Sequence, residues 1–276
     1  MDIGAGSVPL VPDTPDQDVP AARPPLPLLR LALVGVVGGL LSGLFGVGGG
    51  LLMVPLRIGL AHMDQRRAAA TSLVAILPTA VVGSVTYGLN GEVDLVAGLL
   101  VALGGVVGAK VGTLLLRRLP LGWLRWMFVA LLVAVAVQLV LVVPSRGAEI
   151  VVTPWAGVAM VLVGVLVGIT AGLFGIGGGV ITVPALIVLF GAGDLVAKGT
   201  SLLVIIPTAV VGTWSNLRGG LVDLRAGAVV GLTATLTSFG GVALAFVIPA
   251  QVSSVLFAVL VLGSAVQLAI RAYRLR

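Results

Sequence analysis

The 276 residues contain no cysteine and a single histidine, His62. Thiol nucleophiles, disulfides, iron–sulfur ligation and cysteine–zinc sites are excluded together, and multi-histidine metal sites and a histidine-based triad lose their parts. Charge is scarce as well: 9% of residues are Asp, Glu, Lys or Arg, against roughly 25% in soluble domains. With 59% hydrophobic residues and a mean hydropathy of +1.22, a water-soluble globule of this length could not hide its apolar surface. The bulk of the chain is therefore expected in lipid. That rules out a cytosolic enzyme, a secreted disulfide scaffold and a disordered chain. The net charge of +6 in a soluble protein would suggest nucleic acid. Here the basic residues cluster between apolar stretches, where they orient a chain in a bilayer. The partner this predicts is the lipid bilayer; no nucleic acid, cofactor or metal is expected.

What the chain does have is proline at one end and glycine throughout. Residues 1–27 hold Pro9, Pro12, Pro15, Pro20, Pro24, Pro25 and Pro27 together with Asp2, Asp13, Asp16 and Asp18. They read as a disordered polar tail, with no apolar core after a basic start to make a signal peptide. From Leu31 to Ile270 the sequence then repeats. The stretch from Gly43 to Pro55 returns from Gly172 to Pro184, and that from Thr71 to Gly83 returns from Thr200 to Gly212. Asp94 and Asp223, Pro120 and Pro249, and Gln138 and Gln267 keep the same offset of 129 residues. A period this long is no solenoid; it is the size of a transporter half. Residues 28–146 and 147–276 are read as two membrane repeats.

Each repeat carries four apolar stretches: roughly 31–60, 68–88, 95–116 and 121–143, then 155–190, 196–217, 224–246 and 251–270. The last three of each suit single spans, since about 20 apolar residues cross the hydrocarbon. The leading stretch is too long for one crossing and rich in glycine at its middle. If it crosses once, Lys and Arg divide almost evenly between the two faces. If it doubles back at the glycines, all the extramembrane basic residues except Arg146 and Lys198 share one face, as positive-inside bias requires. The hairpin reading makes the number of crossings per repeat odd. It predicts an all-α integral membrane protein of two inverted repeats, each a Gly-broken helical hairpin plus three transmembrane helices, with both termini cytoplasmic.

Candidate functional residues follow from the hairpins. Gly46, Gly48, Gly49 and Gly50, with Gly175, Gly177, Gly178 and Gly179, are too dense for a good helix interior. They suit positive φ and close backbone approach. A helix break at depth leaves free N–H groups at the start of the next half-helix, a natural anion site. Two such breaks at a repeat interface match the usual place of a transporter's substrate. Alternatively, the glycines only permit tight helix packing. The pairs Thr71/Ser72 and Thr200/Ser201 each precede a helix proline, Pro78 or Pro207. Their hydroxyls could bind a polar solute or merely bond the preceding turn of their own helix. Lys110, between Gly108 and Gly112, is a possible anion-attracting charge, or a lysine that snorkels to the interface. Asp64, Glu92, Asp94, Asp194 and Asp223 all read as loop-edge acids, which leaves a carboxylate relay without parts. Trp214, Asn216, Tyr87 and Asn90 read as an interfacial belt, and His62 as a solvated loop residue.

The paired G-L-F-G-[VI]-G-G-G-x4-P segments, each followed by a T-S-L-x5-P-T-A-V-V-G helix, resemble the TauE/SafE family of sulfite exporter and 4-toluene sulfonate uptake permeases. The resemblance covers 31–270 in both halves. It implies a multi-pass permease of the bacterial inner membrane for small, sulfur-containing anions such as sulfite, sulfonates and sulfoacetate-like compounds. The family motif falls here on Gly43, Gly46, Gly48 to Gly50 and Pro55, and on Gly172, Gly175, Gly177 to Gly179 and Pro184. The expected mechanism is alternating access, one repeat rocking against the other, with no enzyme activity. A passive anion channel or exporter on the same scaffold, or a non-transporting membrane assembly protein, are the alternatives. The sequence does not set an oligomeric state.

Overall fold

The computed structural model describes residues 28–60, 63–141, 150 and 153–274. The proline-rich tail 1–27, His62 and Arg146 lie outside them. Among the described residues the chain forms ten helices and no strand: α1 (Leu28–Phe45), α2 (Gly50–Leu60), α3 (Gln65–Leu89), α4 (Leu95–Arg118), α5 (Leu121–Leu141), α6 (Pro154–Phe174), α7 (Gly179–Phe190), α8 (Asp194–Arg218), α9 (Leu224–Val247) and α10 (Ala250–Arg274). Eight are long and apolar enough to cross a membrane; α2 and α7, of 11 and 12 residues, are not. The chain is thus an all-helical, multi-pass membrane protein. The elements obey the repeat offset, α1 to α5 corresponding to α6 to α10.

The long leading stretches break at the glycines, as their density predicts. Gly46, Gly48 and Gly49 hold φ of +68°, +71° or +73°, and Gly175, Gly177 and Gly178 lie between +70° and +91°. These left-handed values are strained for any residue with a Cβ. After the turn α2 folds back along α1: the side chain of Met53 lies against Gly38, and Gly49 against the Gly38 carbonyl.

Close glycine contacts give the helix directions. Along α1, Gly35, Gly39 and Gly43 meet Val230, Ala234 and Ser238 of α9 in register, so α1 and α9 run parallel. Gly227 and Gly231 of α9 meet Thr71 to Val74 and Ala75 to Pro78, so α3 is parallel to both. The corresponding trio behaves alike: Gly164, Gly168 and Gly172 of α6 pack on Val101, Gly105 and Ala109 of α4, while Gly98 and Gly105 of α4 meet Leu203 and Thr208 of α8. Between the trios the sense reverses, since Gly83 faces Leu202 and Gly212 faces Leu73. Helices α3 and α8, equivalent by sequence, therefore cross antiparallel. Because α1 and α3 run the same way, the chain must return between them, and α2 is that return.

The halves also interleave. The most extensive contact of α1 is with α9, and that of α4 is with α6, each across the repeat boundary. Aromatic stacking repeats the pattern, with Phe45 on Phe257 at 4.7 Å and Phe128 on Phe174 at 4.9 Å. Leucines and valines such as Leu99, Leu103, Val107, Leu162 and Leu166 are exposed on the outer faces of α4 and α6, as lipid requires. Asp94 and Asp223 cap α4 and α9 by accepting the N–H groups of Ala97 and Ala226, both at 2.9 Å. Each cap satisfies a donor that a helix start leaves orphaned.

Candidate functional site

The two glycine turns meet. A Cβ added to Gly50 would touch Ile176 Cα and the Gly175 carbonyl, and one on Gly179 would touch Val47 Cα and the Gly46 carbonyl. Segments 46–50 and 175–179 therefore lie side by side and antiparallel. Ile76 and Ile205, each two residues before a helix proline, cover Gly48 and Gly177 from α3 and α8. Every residue of both turns is buried.

Side chains bond part of the backbone at this crossing. The Ser72 hydroxyl donates to the Gly175 carbonyl and Thr208 to that of Gly177 at 3.2 Å, while Tyr87 donates to Gly43 at the end of α1 at 2.9 Å. The N–H groups of Gly46 and Gly175 close the preceding helices on Ser42 and Ala171, both at 2.9 Å. Among the described residues, no hydrogen bond ties the N–H groups from Val47 to Leu51 or from Ile176 to Gly178. Buried backbone donors are nearly always paired in native proteins. Two strings of free amides, each leading into a helix N-terminus, are what an anion would complete.

The glycines predicted from sequence are thus brought together, but the hydroxyl pairs divide. Thr71 accepts the N–H of Asp223 at 3.1 Å, and Thr200 accepts that of Asp94 at 2.9 Å. Both threonines fasten the other half's loop before its fourth helix. Ser72 reaches the second turn, whereas the buried Ser201 hydroxyl has no hydrogen-bond partner. Lys110 lies exposed on α4 and joins none of these groups. Thr208, the residue after Pro207, reaches the Gly177 carbonyl, a contact that the sequence reading did not anticipate.

Three readings of the sequence are corrected by burial. Asp194 and Lys198, taken as a loop-edge acid and an extramembrane base, are 2% and 5% exposed. Lys198 Nζ donates to Asp194 Oδ2 at 3.1 Å and to Ser253 Oγ at 3.0 Å. The first turn covers the pair, Gly46 packing on the Lys198 backbone. The i,i+4 spacing of this Asp and Lys was the available signal. Tyr87 and Asn216 are fully buried rather than interfacial, while Trp214 and Asn90 remain exposed as a belt residue should. Arg57, counted among the extramembrane basic residues of the cytoplasmic face, is a fully buried residue of α2. An open cavity of about 610 Å³ lies elsewhere, between Trp123, Arg125, Trp126 and Ala272, where aromatic and basic side chains suit a lipid headgroup region.

Comparisons with known proteins agree with this architecture. The family described as sulfite exporter TauE/SafE matches residues 7–139 and 160–276, most of both halves. The probable membrane transporter protein YunE of Bacillus subtilis (strain 168) is 26% identical over 216 residues, covering 70% of this chain and 79% of that protein. YdhB of the same strain, also named a probable membrane transporter protein, is 26% identical over 198 residues, covering 71% and 81%. A probable membrane transporter protein of Xylella fastidiosa (strain 9a5c) is 31% identical over 199 residues, covering 68% and 73%. With a duplicated five-helix unit, paired glycine turns and this match along its length, the chain belongs to the sulfite exporter TauE/SafE family of membrane transporters.

Proposed function

We propose that this transporter is a permease for small anions, sulfur oxyanions and organosulfonates foremost, that binds its substrate at the crossing of the two glycine turns. The observation that carries the reading is the string of unbonded N–H groups on both sides of the crossing. Amides fixed at a helix start attract negative charge without needing a countercharge. Hydroxyls of Ser72, Thr71, Thr200 and Ser201 border the same elements, and Ser201 has an unused donor.

The proposed topology is an inverted pair of repeats in the bacterial inner membrane, the basic face cytoplasmic by the positive-inside rule. Antiparallel crossing of α3 with α8 supports it. Alternating access then follows the packing rather than the sequence boundary. One moving body is α1, α3 and α9, and the other is α4, α6 and α8, with the α3–α8 crossing between them. Purified protein in liposomes should take up labelled sulfite or methanesulfonate with saturating kinetics. Gly49→Val and Gly178→Val, which force a β-branched residue to φ of +71° and +91°, should insert into the membrane and lose flux. Normal flux in both variants would remove the crossing as the site, and a rate that never saturates would point to a passive channel.

A further inference from the structure

We propose that Arg57 is a substrate-binding residue, a single guanidinium that receives the oxyanion as it leaves the glycine crossing along α2. The inference rests on the anion-permease reading and deepens it. Arg57 is 0% exposed, and among the described residues its Nε and both terminal nitrogens have no hydrogen-bond partner. A buried guanidinium with five donors unanswered is costly to maintain. The chain keeps it nonetheless, and keeps it in one half alone: the equivalent residue of α7 is Leu186, equally buried. The fold therefore accommodates leucine at the corresponding place of its duplicated unit.

Placement agrees with a ligand role. Gly50, Val54 and Arg57 lie at helical spacings of four and seven and share one face of α2. Gly50 on that face touches the other half's turn at Ile176 and Gly175, and Met53, four residues before Arg57, borders the same face and packs on Gly38 of α1. Arg57 thus lies on the stripe of α2 that begins at the crossing, about 10 Å along the helix from the first free amides. The charged group whose field reaches it is the Asp223 carboxylate. That carboxylate is committed to the α9 cap, accepting from Ala226 at 2.9 Å, and forms no ion pair with Arg57. The ligand chemistry this selects is a planar or tetrahedral head with two or more exposed oxygens, which the guanidinium fork binds in bidentate fashion. Sulfite, sulfonates and carboxylates have such heads; chloride does not.

The test is thermal unfolding of the purified full-length protein against sulfite, methanesulfonate, acetate and chloride, with liposome flux measured in parallel. The variants are Arg57→Leu, Arg57→Lys and, as a control for net charge, the exposed Arg118→Gln. Wild type and Arg118→Gln should be stabilised by the oxyanions and not by chloride. Arg57→Leu should melt higher than wild type without ligand and lose the oxyanion response and the flux. Arg57→Lys, keeping the charge without the fork, should need about tenfold more anion for the same shift. If Arg57→Leu responds to oxyanions as wild type does, the assignment of Arg57 falls while the permease reading stands. If it melts lower or fails to insert, Arg57 is structural and the proposal is overturned. A wild-type protein that neither responds to nor transports any of the oxyanions overturns the permease reading itself.

Discussion

Lys198 Nζ sits 3.1 Å from Asp194 Oδ2, one helical turn before it, with both side chains buried and Gly46 of the first glycine turn packed on the Lys198 backbone. Water cannot screen such a pair, and removing one member strands the other. Lys198→Met should therefore lower stability by roughly 3–5 kcal/mol. The double variant Asp194→Asn/Lys198→Met should recover much of that loss. A thermal-unfolding double-mutant cycle in detergent checks both. A double variant that loses as much as the Lys198→Met and Asp194→Asn single variants added together would mean the pair is not coupled.

Thr71 and Thr200 make the same bond in the two halves, each accepting the N–H that precedes a fourth helix. Thr71→Val and Thr200→Val should each cost about 1–3 kcal/mol, because a partly buried N–H loses its acceptor. Thr→Ser at either position should cost much less. Hydrogen exchange at Asp223 and Asp94 reads the effect locally, and exchange unchanged in the valine variants would contradict it.

The serines should behave differently from each other. Ser72 donates to the Gly175 carbonyl and Ser201 to nothing. Ser72→Ala is expected to lose about 1 kcal/mol of stability and Ser201→Ala close to none. If anions recruit the idle Ser201 hydroxyl, Ser201→Ala weakens apparent substrate affinity instead. Paired melting and uptake measurements separate the two effects.

Gly168 fits against the Gly105 carbonyl with no space for a methyl group. Gly168→Val should force α6 from α4 and cost about 1–3 kcal/mol or more. Gly157→Val, where an added Cβ would meet only the tip of Leu100 at 3.6 Å, is the matched control. A Gly168→Val protein melting like that control would deny the close contact.

Much of the fold is visible in the sequence because duplication repeats every signal. The 129-residue offset fixes α1 to α5 against α6 to α10, and clustered glycines mark the turns. Side-chain roles were less legible where burial comes from the other half. Lys198 lies close to its helix start, where a charge ordinarily meets water. Gly46 of the first turn packs on its backbone and Ser253 of α10 meets its amine, and hydropathy along one segment carries no trace of those distant contacts. Arg57 was hidden by its short helix for the same reason: α2 is too brief to register as a span. Thr71 and Thr200 were noticed for their hydroxyls, yet their partners lie 152 and 106 residues away.

Because α1 finds its main neighbour in α9 and α4 finds its own in α6, cutting the polypeptide between α5 and α6 would leave both pieces incomplete. Neither fragment could cover its bare glycine stripe alone. Co-expressed, they should clasp one another and co-purify, whereas either produced singly should be cleared by membrane proteolysis.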